Sequence, residues 1–123
     1  MTVSPLVEPR VYGAVGVRLD PPAPDATASQ TADQAMAECA ARLAVCAAGS
    51  PQTAELGLLT DKQFADSHRL VWALTWKHVA CDVFGPGRAT PGAALNLSSG
   101  CAFVTFIDAR SGRYILATEG ADT

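Results

Sequence analysis

The sequence predicts an α+β domain in which one long helix packs on a four-stranded antiparallel sheet, preceded by an extended N-terminal arm. Three observations carry that expectation. A capped, alanine-rich helical stretch begins at Thr31, and segments with strand periodicity follow it at 53–60, 68–79, 101–108 and 113–119. The last two are joined by "DARSG", a run of turn-forming residues. A helix first and antiparallel strands afterwards is the pattern of an α+β fold, and 123 residues suffice for one core.

Residues 1–30 read as an arm and linker. "VYGAVGVRL" (11–19) can extend with Val11, Val15, Val17 and Leu19 on one side, but its two glycines suit an edge strand or ordered arm better than a sheet interior. "DPPAPDATASQ" (20–30) has the proline and small-residue content of a linker. The domain proper then spans 31–119, with 120–123 as a tail.

The helix starts with a capping box, since the Thr31 hydroxyl can accept from the Gln34 amide while the Gln34 side chain reaches back. Met36, Cys39, Leu43 and Cys46 recur at three- or four-residue spacing and form an apolar stripe. Gly49 and Pro51 end the helix. In the strands, Ala54, Leu56 and Leu58 share a face, as do Leu70, Trp72, Leu74 and Trp76. Val71 and Ala73 make the opposite face apolar as well, so something covers it: residues 11–19 or another subunit.

The closing hairpin is turn chemistry. Asp108 can accept amide hydrogen bonds from the residues just ahead, and Gly112 can take the positive φ of a four-residue connection. Ser111 completes the motif. Asp108 is therefore read as structural before catalytic.

Composition excludes several functions. The 9 basic and 12 acidic residues are dispersed and leave a net charge of −3, so the electrostatic footprint of nucleic-acid binding is missing. No apolar run approaches the roughly 20 residues of a membrane-spanning helix. The N-terminus shows no signal-peptide pattern, which leaves a cytoplasmic protein or an exported one whose leader has been removed.

The four cysteines allow three pairings. Cys81 and Cys101 would flank a loop of about 20 residues, and a bridge between them is expected to contribute roughly 3 kcal/mol. Cys39 and Cys46 lie seven residues apart, about 10 Å along a continuous helix and too far for a disulfide. Either the helix breaks and they join, or both are buried core thiols. The helical pattern persisting to Ala48 favours core thiols. With two histidines in the chain and no C-x-x-C spacing, no metal is expected, and no cofactor.

The order of these parts resembles the PepSY family and, more broadly, cystatin-like α+β units. "QAMAECA", "TAELGLLT", "RLVWALTW" and "FVTFIDARSGRYI" carry the resemblance over about residues 31–118, with Ser111 where the family commonly has threonine. The resemblance implies a helix across a curled antiparallel sheet in an extracytoplasmic bacterial protein. Such domains act as inhibitory propeptide parts or as accessory modules around peptidases and the cell envelope. It brings no catalytic residue with it.

The functional expectation is thus a non-enzymatic, extracytoplasmic binding or regulatory module with a protein partner. Its recognition surface would lie among Trp72, Trp76 and the loop residues Phe84 and Arg88. One alternative is a small enzyme with His78, Cys81 and Asp82 at a pocket mouth, for which a reactive thiol at Cys81 would speak. The other is a structural homodimer joined through the second face of the sheet.

Overall fold

The structure, a computed structural model, describes residues 1–12, 16–47, 49–61, 66–79 and 101–121. Its strands are β1 (Thr2–Pro5), β2 (Arg10–Tyr12), β3 (Val17–Asp20), β4 (Thr53–Asp61), β5 (Asp66–Val79), β6 (Cys101–Asp108) and β7 (Tyr114–Ala121). Two helices, α1 (Ala32–Arg42) and the four-residue α2 (Ala44–Ala47), lie between β3 and β4.

The architecture is mostly β, which corrects the expectation of one long helix on four strands. The seven strands form one sheet in the order β2-β3-β4-β5-β6-β7, with β1 also paired to β4. The N-terminal residues are thus sheet strands rather than an arm. All neighbouring pairs along the path are antiparallel, whereas β1 runs parallel to β4.

Two strands share one edge of β4. β1 takes Thr53–Leu56 and β3 takes Leu58–Asp61, leaving Gly57 at the junction. A Cβ at Gly57 would lie 2.9 Å from Leu19 Cγ and 3.0 Å from the Asp20 carbonyl oxygen. Glycine is needed there because β3 approaches too closely for a side chain.

The sheet curls into a half-barrel. Flat, β2 and β6 would lie four strand spacings apart, about 19 Å. Instead the rings of Tyr12 (β2) and Phe106 (β6) meet edge to face, their centroids 5.1 Å apart. The concave face encloses Leu6, Val17, Leu19, Leu59, Val71, Ala73, Val104 and Phe106. The β2–β3 hairpin therefore covers the second apolar face of the central strands.

The helical segment covers the convex face, against Ala54, Leu56, Leu70, Trp72, Leu74, Trp76, Phe103 and Ile107. The capping box forms: Gln34 N donates to Thr31 Oγ1 at 3.1 Å and Thr31 N donates to Gln34 Oε1 at 2.7 Å. Each tryptophan of β5 anchors one end of the segment. Trp72 Nε1 donates to the Gln30 carbonyl at 2.8 Å, and Trp76 Nε1 to the Gly49 carbonyl at 3.0 Å. Both indoles satisfy their buried donors in this way.

The long helix of the sequence reading is broken. Leu43 is extended, at φ −130° and ψ 132°, so the chain turns back after α1. That brings the Cα atoms of Cys39 and Cys46 to 5.6 Å, and the two are joined by a disulfide. Nothing between Arg42 and Ala47 is a helix breaker. The bridge itself accounts for the interruption, because an unbroken helix would hold these residues about 10 Å apart.

A proline-walled groove beside the first strand

The closing hairpin is built on Asp108. Its Oδ1 accepts from the amides of Arg110 (2.7 Å) and Ser111 (2.8 Å), while Oδ2 accepts from Arg69 Nε (2.7 Å). Gly112 sits at φ +79° and donates its amide to the Asp108 carbonyl, and Ser111 Oγ accepts from the Arg113 amide. Burial pushes the Asp108 carboxyl up, but the two amides and the Arg69 guanidinium outweigh it and hold the group below its usual range. Both oxygens of this carboxylate accept from the turn or from β5, so its observed work is structural.

A second polar cluster ties β2 across the concave face. Arg10 donates to both carboxylate oxygens of Glu55, at 2.7 and 3.4 Å, and to the Tyr12 hydroxyl at 3.4 Å. The hydrogen bond to Glu55 holds the guanidinium above its usual range, and burial raises the Tyr12 hydroxyl. Both pairing residues reach solvent, so the cluster contributes at most about 1 kcal/mol.

Concavity appears elsewhere. A groove of about 500 Å³ opens on the convex face, between β1 and the segment leaving β3. Val3 and Pro5 form one wall, Pro22, Ala23, Pro24 and Ala26 the other, and Leu56 and Trp72 the floor. Register explains the first wall: Val3 pairs with Ala54 and Pro5 with Leu56, which places both on the helix side of the sheet. Proline fixes φ near −65°, so both walls hold their shape without a ligand. The size is that of small-ligand and peptide-side-chain sites, commonly about 300–1,000 Å³.

Of the site residues singled out from the sequence that are described, Trp72 alone lines this groove, and at 7% exposure it forms a floor rather than a displayed ring. Trp76 is buried against Phe103. Phe84, Arg88, Cys81 and Asp82 lie outside the described residues, as does the side chain of His78, so the Cys81–Cys101 bridge and the His78 pocket are not located. Among the described residues no cysteine is free and no group of three His, Cys, Asp or Glu side chains gathers at metal-binding distance. No described helix is long and apolar enough to cross a membrane.

Val3, Pro5, Pro22 and Pro24 were missed as site residues. The signal for the second wall was "DPPAPDA" (20–26), whose preset backbone reads equally as a linker until β1 is known to lie beside it. Neither a family model, a curated protein nor a solved structure matches the chain. What fold and site define is a small, disulfide-containing β half-barrel with an apolar groove.

Proposed function

We propose that the protein is a non-enzymatic, extracytoplasmic binding module, and that the groove over Leu56 and Trp72 is its binding site. The observation that carries this reading is the groove itself: apolar floor, two walls fixed by proline, open to solvent. Such a site binds without first ordering its own backbone, which removes one of the usual costs of association. The Cys39–Cys46 disulfide supports the extracytoplasmic part, since disulfides persist in oxidising compartments and are rare in the cytosol.

The test uses 8-anilinonaphthalene-1-sulfonate as an apolar probe. It is expected to bind with one-to-one stoichiometry and to quench tryptophan emission by energy transfer, and Ala23→Phe should abolish binding by filling the groove while leaving the unfolding midpoint unchanged. Probe binding unaffected by Ala23→Phe, or none at all, rejects the groove as the site. Free thiols at Cys39 and Cys46 in protein isolated from its native host reject the extracytoplasmic assignment.

A further inference from the structure

We infer that two copies of this chain associate edge to edge through β7, antiparallel about a two-fold axis at Thr118, so that their sheets join into one. None of the β7 residues lines the groove. Three observations carry the inference.

The first is the state of the sheet's two ends. The path of strands closes on β2 at one side and on β7 at the other. Natural sheets protect such ends with short strands, prolines or lysines. β2 has three residues, whereas β7 has eight, "YILATEGA", with neither proline nor lysine. After a register shift at its start, Leu116 to Ala121 pair with β6 without interruption, and among the described residues β7 pairs with no other strand. The strand is apolar on both faces: Tyr114 and Ala117 pack partly buried on the convex side, Ile115 and Leu116 on the concave side.

The second is the direction of its backbone groups. Ala109 N donates to the Leu70 carbonyl, so the odd-numbered residues of β6 turn their amides and carbonyls to β5. The even-numbered ones turn theirs to β7, as the bond from Asp108 N to the Arg113 carbonyl shows. Their partners Leu116, Thr118 and Gly120 therefore direct their amides and carbonyls at β6, and Ala117 and Glu119 direct theirs outward. Two copies of β7 set antiparallel with Thr118 opposite Thr118 bring Ala117 of each against Glu119 of the other. Each of those pairs exchanges two backbone hydrogen bonds.

The third is the fit of side chains in that register. Leu116, Thr118 and Gly120 share the concave face, opposite Phe106, Val104 and Ala102 of β6. Thr118 meets its own copy, a favourable cross-strand pair. Leu116, half-buried in the single chain, lies opposite Gly120 of the second copy, and symmetry repeats the contact. Residues in such non-hydrogen-bonded pairs approach to about 4.5 Å between Cα atoms, and glycine leaves the leucine the most room there. The strand complements itself, as a two-fold interface demands.

Sedimentation velocity of the intact protein over about a hundredfold range of concentration is expected to show a monomer converting to a dimer. Ala117→Pro removes an outward amide from each copy and leaves the β6–β7 ladder whole. It should raise the dissociation constant about 25-fold, the size of two backbone hydrogen bonds. Gly120→Val should raise it at least about tenfold by crowding Leu116. The unfolding midpoint of the diluted Gly120→Val monomer should hold or rise, since valine suits a strand better than glycine. Thr118→Cys should link two copies through a disulfide in air, because the facing Cα atoms fall within its reach. Ala117→Cys, offset from its symmetry mate, should not.

A monomer at every concentration overturns the inference. So does a dimer that either Ala117→Pro or Gly120→Val leaves intact, or one that cross-links through position 117 in preference to 118. If Ala117→Pro unfolds the monomer, Gly120→Val decides alone.

Discussion

Removing the Cys39–Cys46 bridge measures how the helical segment is held. The cross-link spans a sequence separation of 7. Closing a loop of about 8 residues lowers the chain entropy of the unfolded state by about 8 cal/mol/K, or about 2.5 kcal/mol at 25 °C. Against the 5–15 kcal/mol typical of a domain, that is a substantial part of the total. The variant is Cys39→Ala/Cys46→Ala, because both side chains are fully buried and a serine hydroxyl would have to be buried with them.

Urea unfolding followed by tryptophan emission should show a midpoint lower by about 1–2 M at an m-value near 1.5 kcal/mol/M. Freed of the bridge, residues 43–47 can continue α1, so helical ellipticity should rise. The Trp76 bond to the Gly49 carbonyl would then loosen and its emission shift to the red. The native disulfide should resist dithiothreitol until denaturant is added, since neither sulfur reaches solvent. A stability loss under about 1 kcal/mol together with unchanged ellipticity would refute the claim that the bridge imposes the break at Leu43.

Gly57→Ala should cost about 1–3 kcal/mol in equilibrium unfolding, because its Cβ meets Leu19 and the Asp20 backbone; an unchanged midpoint would show that β3 can move away. Asp108→Ala should cost about 2 kcal/mol, leaving two amides and Arg69 without their acceptor. The folded pKa of Asp108 is depressed, so its stabilisation is complete above the unfolded value of about 3.9 and is lost as pH falls through the lower folded value. Stability measured from pH 5 downward should therefore fall less steeply in Asp108→Asn than in the wild type. Trp72→Phe should cost about 1 kcal/mol for the lost bond to Gln30, and an unchanged unfolding midpoint would mean that this bond does not hold the helix start.

Local periodicity made the last four strands legible. The alternation in "HRLVWALTW" and the "DARSG" turn placed β5, β6 and β7 within about two residues of their ends, and the capping box placed the start of α1. Non-local pairings left no such trace. Thr2 pairs with Thr53 through a parallel ladder with no turn between them, and four residues ending in proline have too little pattern to announce a strand. The sequence "VYGAVGVRL" misled because Val11 and Val17 belong to two different strands, β2 and β3, rather than to one face of a single extended segment. Gly16, at φ +66°, lies where β2 has ended and β3 begins, so Val11 is exposed while Val17 is buried. The interruption at Leu43 was written only in the cysteine spacing, where helix propensity and cross-linking pull in opposite directions and the covalent bond prevails. The groove needed both missed elements, β1 and the docked proline segment, before it could be seen.

The contact between Tyr12 and Phe106 also bears on the order in which the molecule assembles. A ribosome releases the amino terminus first, yet β1 waits for β4, fifty-one positions later, and the tyrosine ring waits for a phenylalanine ninety-four positions on. Pairings this remote in the chain close slowly. Of the opening twenty residues only the β2–β3 hairpin has its partner close by in the chain; β1 and the outer side of β3 have to wait for β4 before they can join the sheet.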